Sequence, residues 1–261
     1  LPFYFSFINF LRRKGTLFLH LCVKLETSMK EIRLDGFIET FKSASKIVIT
    51  NHTNPDGDAM GSALALQQVL EKMGKKVSVV VPNPYPKFLW HLRGNERVLI
   101  YAEGKTAGNA VIEEADMIFH LDYNAFGRSA DMEPALREAK ASKVMIDHHQ
   151  QPEDWPDFIY SDTDMSSTCQ MIYEFCDMFG WLEHLDKHSA ESIYTGIVTD
   201  TGSFKYSATS SRTHEVAGKL IELGVEPHVL HGKIFDAQPA ARLRLLGAML
   251  DQMQLSPSGE K

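Results

Sequence analysis

The sequence predicts an α/β fold, with a mainly parallel doubly wound sheet, helices on both faces and more helix toward the C-terminus. Three observations predict it. Short apolar runs rich in β-branched residues, such as Lys46–Thr50 and Met117–Leu121, alternate with longer segments of helical period. Asp- and His-rich clusters follow directly on several of these runs, where parallel strands hand over to loops. The chain of 261 residues, 44% hydrophobic, is long enough for a sizeable core.

Taken in order, a helix is expected over residues 31–44, then the strand Lys46–Thr50 and a loop over 51–59. A helix over 60–73 carries Leu64, Leu66, Val69 and Leu70 at helical spacing. Residues 77–81 read as a strand and the proline-bounded stretch 82–86 as a loop. Further strands are expected over 98–101, 117–121, 143–146 and 158–161. Helices are expected over 166–179, 189–199, 213–223 and 240–253. No internal repeat or low-complexity tract is apparent.

The chemistry lies at the ends of the strand-like runs. His52, Asp56 and Asp58 form a His-x3-Asp-x-Asp motif just after the first run. Asp122 follows a second run, Asp147-His148-His149 a third, and Asp200 lies in Thr199-Asp200-Thr201-Gly202. Each has an ordinary structural explanation alone: a Pro-Asp-Gly turn, a strand-end cap, a buried and an exposed histidine, a loop acid. Strand ends of a parallel sheet converge in space, so together they point to one composite site. Carboxylate and imidazole donors without thiolate suit two divalent ions, Mn²⁺ first, with Mg²⁺ or Co²⁺ as alternatives. Two ions roughly 3.5–4 Å apart that share a carboxylate are the usual device for displacement at phosphorus.

Those four motifs, in that order, resemble the DHH phosphoesterases. The stretch 196–224, with Thr199-Asp200-Thr201-Gly202-Ser203-Phe204 and Ser210-Ser211-Arg212-Thr213, is most similar to the nanoRNase/pAp-phosphatase branch, and the resemblance covers about residues 30–236. It implies hydrolysis of short oligoribonucleotides or of 3′-phosphoadenosine 5′-phosphate by two-metal activation of water. It also implies that His52, Asp56 and Asp122 hold one metal, and that Asp58, Asp122, His148 and Asp200 hold the other, with Asp122 bridging. Asp147 would orient His148, His149 would face the scissile phosphate as donor or general acid, and Asn51, Asn54 and Arg128 would contact substrate. Two other readings stay open: a linear-dinucleotide phosphodiesterase of cyclic-dinucleotide turnover, and a non-catalytic nucleotide-binding module. An inorganic pyrophosphatase ranks lower because of the sequence around Asp200.

Composition narrows the partners. A net charge of −7 gives no footprint of a duplex-binding surface. Short single-stranded RNA or DNA, or a nucleotide, stays compatible because bound ions make the site locally positive. Cys22, Cys169 and Cys176 form no Cys-x-x-Cys pair and read as buried thiols of a cytoplasmic protein. His184 and His188 read as a solvated helix face, and Met165, Met171 and Met178 as core filler. Residues 1–28, two short apolar pieces around Arg12-Arg13-Lys14, are expected to be upstream sequence before a start at Met29, with a membrane anchor as the minority reading. The expected layout is a catalytic domain over 29–232, then a linker helix and the start of a truncated second domain over 233–261. That family's glycine-rich, His-containing motif is missing after His231-Gly232. A homodimer is left open.

Overall fold

The computed structural model describes residues 29–236 and 239–253; the expectations for residues 1–28, Cys22 among them, lie outside the described residues. The strands are β1 (Lys30–Arg33), β2 (Lys46–Thr50), β3 (Lys76–Val81), β4 (Leu99–Ile100), β5 (Met117–Leu121), β6 (Ser142–Asp147) and β7 (Phe158–Asp162). They form one sheet in the order β1-β7-β6-β5-β2-β3-β4. Every pairing is parallel except β1 with β7. The helices are α1 (Phe37–Ser43), α2 (Gly57–Lys72), α3 (Lys105–Glu113), α4 (Glu133–Glu138), α5 (Thr168–Met178), α6 (Lys187–Asp200), α7 (Ser211–Glu222), α8 (Pro227–His231) and α9 (Ala240–Asp251).

The side-chain alternation of the strands supplies both faces of the sheet. Ile47, Ile49, Phe119, Val144 and Ile146 join the larger core with α1, α2, α5 and α6. Val48, Val80 and Ile118 join a smaller core with Ile112 of α3 and Leu136 of α4. Phe37 centres the larger core, its ring within 6.2 Å of Phe119, Phe158 and Phe175. Cys169 and Cys176 are free, buried thiols. Among the described residues no helix is long and apolar enough to cross a membrane.

Three departures from the sequence expectation have local causes. Residues 31–33 belong to an edge strand and not to a helix. They pair antiparallel with β7, and Lys30 Nζ lies 2.8 Å from Asp162 Oδ2, so tertiary pairing overrides local propensity. Helix α2 begins at Gly57, because the Asp56 side chain accepts from the N–H groups of Asp58 and Ala59 at 3.0 and 3.1 Å. That cap places Asp58 in the first helical turn. Helix α6 starts on a capping box at Asp186 and runs through Asp200, which therefore rides on a helix end and not in a loop.

Candidate metal centre

Strands β2, β5 and β6 lie side by side and end together. The chain travels outward from β2 to β3 and β4 before returning to β5, so the β2/β5 gap is a topological switch point. Asp122 stands at that gap. It adopts a left-handed conformation, φ 63°, which a short polar side chain tolerates. Its Oδ2 lies 3.3 Å from His52 Nε2, and its Oδ1 lies 3.6 Å from His148 Nε2. One carboxylate thus faces an imidazole on either side.

Around it the potential metal ligands fall into overlapping groups: His52, Asp56 and Asp122; Asp58, His148 and Asp200; and Asp122, His148 and His149. Shared members reduce these to two candidate clusters that meet at Asp122. His148 Nε2 lies 3.8 Å from Asp58 Oδ2 and 3.6 Å from Asp200 Oδ2. The far nitrogen of each inner imidazole is occupied by a carbonyl: His52 Nδ1 lies 2.8 Å from Thr53 O, and His148 Nδ1 lies 3.2 Å from Met165 O. A carbonyl only accepts, so each Nδ1 keeps its proton and each Nε2 lone pair points into the cluster. These are hard and borderline donors in an arrangement that fits divalent ions.

Electrostatics supports the same fit. Burial, together with the charges of Asp122 and Asp200, pushes the Asp58 carboxyl well above the usual carboxylate range. Burial likewise lifts Asp200 to about 6. At Asp122 burial is outweighed by hydrogen bonds and charge from His148 and His52, which hold its carboxyl below the usual range. Burial opposes protonation of His148, but Asp122, Asp58 and Asp200 raise its pKa. Three converging carboxylates around one imidazole call for added positive charge.

Asp58 is held in a way no local motif announced. Its Oδ2 accepts the Thr168 N–H at 2.7 Å and its Oδ1 the Cys169 N–H at 2.8 Å, so the N-terminus of α5 grips both oxygens. Thr168 Oγ1 donates to Asp122 Oδ1 at 3.1 Å. Helices α2, α5 and α6 approach closely enough for this only because of glycine: a Cβ on Gly196 would lie 2.7 Å from Asp58 Oδ1 and overlap Cys169 Sγ. Asn83 joins the site from outside the four motifs. Its Oδ1 accepts from Thr53 Oγ1 at 2.9 Å and from Asn54 N at 2.7 Å, fixing the His52 loop from the end of β3. The Ser-Ser-Thr run before α5 is a visible N-cap signal, whereas Asn83 carries no signal beyond its proline-flanked loop.

Several expected roles change. Asp147 does not orient His148. Its Oδ1 lies 2.7 Å from His149 Nδ1 and its Oδ2 accepts the His149 N–H at 3.0 Å. A carboxylate at the end of β6 is close to the backbone two residues on, so it grips His149, while His148 turns inward onto Met165 O. Asn51 is fully buried and its Nδ2 donates to Ala59 O at 3.1 Å, tying β2 to α2. Asn54 is exposed, with φ 55°. Arg128 is half-buried, and its backbone carbonyl accepts from Thr53 N. His184 sits in a 3₁₀ turn and His188 in the first turn of α6, so they share no helix face and join none of the ligand groups among the described residues.

The sequence matches the DHH family, N-terminal domain, over residues 46–197. It is 28% identical over 229 residues to the Bifunctional oligoribonuclease and PAP phosphatase NrnA of Bacillus subtilis, covering 85% of this chain and 67% of the relative. Its likeness to the Thermus thermophilus protein of the same name is 28% over 216 residues, covering 78% and 58%. Among solved structures, an exopolyphosphatase-related protein from Bacteroides fragilis superimposes with a TM-score of 0.83 at 35% identity, covering 85% of this chain and 66% of that one. The chain thus spans about two thirds of these relatives' length, or less.

Proposed function

The chain belongs to the DHH family, and from that premise we propose that it is a metal-dependent phosphoesterase hydrolysing short oligoribonucleotides or 3′-phosphoadenosine 5′-phosphate. The observation that carries this reading is the Asp122 carboxylate, with an oxygen toward His52 on one side and an oxygen toward His148 on the other. His52, Asp56 and Asp122 would hold one ion, and Asp58, Asp122, His148 and Asp200 the other, with Mn²⁺ first in preference. When bound, such ions neutralise charge on phosphoryl oxygens and make a water acidic enough to attack phosphorus.

The chain's own residues supply the rest. The α5 N-terminus fixes Asp58, the Thr53 and Met165 carbonyls fix the tautomers of His52 and His148, and Asn83 fixes the loop between His52 and Asp56. We assign to His149, half-exposed and held at Nδ1 by Asp147, the transfer of a proton to the leaving oxygen as the P–O bond breaks. Asn54 and Arg128 are assigned to substrate. The relatives' printed names, an oligoribonuclease and PAP phosphatase, support the substrate class. Residues 29–232 are assigned as the catalytic domain and 233–261 as a linker helix leading into a second, substrate-binding domain.

The test is release of mononucleotide or phosphate, with Mn²⁺, from a dinucleotide, 3′-phosphoadenosine 5′-phosphate and pyrophosphate in parallel. Asp122→Asn is expected to lower turnover at least about 10²–10³-fold, the scale of losing a main electrostatic stabiliser. Undiminished turnover in that variant, or a wild type that binds Mn²⁺ and nucleotide but releases no product, would overturn the reading.

A further inference from the structure

Immediately after Asp200 the chain makes an unusual turn. Gly202, Ser203 and Phe204 are consecutive left-handed residues, with φ 54°, 64° and 65°. Two of these are not glycine, so the conformation is locally disfavoured and must be held from outside. Thr201, fully buried, holds it: its carbonyl accepts the N–H groups of Lys205 and Tyr206 at 2.9 and 3.0 Å, and its Oγ1 accepts that of Phe204 at 2.9 Å. Phe204 anchors the turn from beneath, stacked on His214 at 5.0 Å and edge-on to Tyr194 at 6.2 Å.

The turn presents one aromatic side chain outward. Tyr206 is 60% exposed, the most exposed aromatic ring among the described residues. Its ring tip rests on Gly202, where a Cβ would lie 2.6 Å from Tyr206 Cζ. One edge is therefore fixed by the backbone while the ring stays open to solvent. Its neighbour Lys205 is exposed and has no acidic partner among the described residues. Two residues of chain carry Gly202 no farther than about 7 Å from Asp200. Because the ring rests on Gly202, it stays within about 12 Å of the Asp200 Cα, a span of one or two nucleotides.

We propose that Tyr206 is the platform on which the nucleobase flanking the scissile phosphate stacks, with Lys205 beside it facing that nucleotide's other phosphate. The inference rests on the phosphoesterase reading and adds its specificity: recognition of the base by its π face, tolerant of base identity. An exposed ring braced on the backbone and next to an exposed cation suits a stacked nucleotide, and disfavoured backbone turns cluster at sites that aim such groups.

The test uses diadenylate carrying 2-aminopurine, whose fluorescence is quenched on stacking, followed by stopped flow within the first turnover, alongside steady-state kinetics. Tyr206→Leu still covers Gly202 but lacks the π face. It is expected to abolish the quench and raise KM for the dinucleotide about tenfold, with kcat little changed. Tyr206→Phe is expected to restore both. A wild type without quenching, or a leucine variant that quenches equally, overturns the proposal. Hydrolysis of the dinucleotide and an abasic counterpart with equal KM also overturns it, while leaving the phosphoesterase reading intact. Conversely, Tyr206-dependent quenching without hydrolysis of either would support the platform and sink the phosphoesterase reading.

Discussion

Replacing Asp147 by Asn separates the two histidines of the Asp-His-His motif. The Asp147 carboxylate is fully buried, accepts the His149 N–H at 3.0 Å and stands 2.7 Å from His149 Nδ1. An amide offers one acceptor in place of two. If its oxygen keeps the backbone N–H, its NH₂ faces Nδ1, and the ring must move its proton to Nε2 or lose the bond. A hydrogen bond to a charged group is worth about 1.5–3 kcal/mol, and loss of an orienting partner at such sites costs about 10–100-fold. His148 is untouched, because Met165 O at 3.2 Å sets its tautomer. The expected result is kcat reduced about 10–100-fold, with Mn²⁺ affinity within about twofold of wild type, the usual margin for an uncoupled site. Calorimetric Mn²⁺ titration beside steady-state kinetics measures both. Mn²⁺ affinity reduced 10–100-fold, with kcat recovering at saturating metal, would show that Asp147 acts through His148 and refute the assignment.

Two further outcomes follow from the same geometry. Burial lifts Asp200 from its ordinary 3.8 to about 6 and raises Asp58, so the metal-free fold takes up protons that the unfolded chain releases, and its stability falls as pH rises through that window. His148, raised by Asp122 against the opposing effect of burial, contributes stability present below its ordinary 6.5 and lost above its folded value, the same direction. Asp122 is held below the usual range, so its contribution is lost only at lower pH. Thermal melts in EDTA should therefore drop in Tm from pH 5 to pH 8, while the Tm increment from Mn²⁺ grows as its ligands deprotonate; a metal increment unchanged over that range would contradict this. Gly196→Ala gains about 1 kcal/mol of helix propensity but drives a methyl into Cys169 Sγ and to 2.7 Å from Asp58 Oδ1. Overpacking of about 1–3 kcal/mol should win, lowering both the urea midpoint and Mn²⁺ affinity, and an unchanged midpoint would show that α2, α5 and α6 have slack at this crossing.

The strand ends were legible because their signal is local. A parallel strand covered on both faces reads as an apolar run, and β2 and β5 have the same bounds in sequence and structure. His52, Asp122 and His148 follow such runs, and sheet topology alone brings strand ends together. Helix α2 starts three residues before its sequence-predicted start because Asp56 is at once a potential ligand and an N-cap, and the capping role shows only when the backbone folds back on it.

The order of the motifs and the oxygen-and-imidazole donor set belong to the sequence itself, since residue identity and strand period are properties of contiguous chain. Which partner each group finds is a property of the folded whole. Asp58 meets the N-terminus of α5 across 110 residues of chain, Asn83 reaches back to Asn54, and β1 becomes a strand only because β7 offers it an edge. Likewise Asp147 takes His149, and Asn51 is buried beneath α2. These choices depend on distances between segments far apart in sequence, which exist only once the helices have packed, and close packing leaves each buried polar group few partners to choose from.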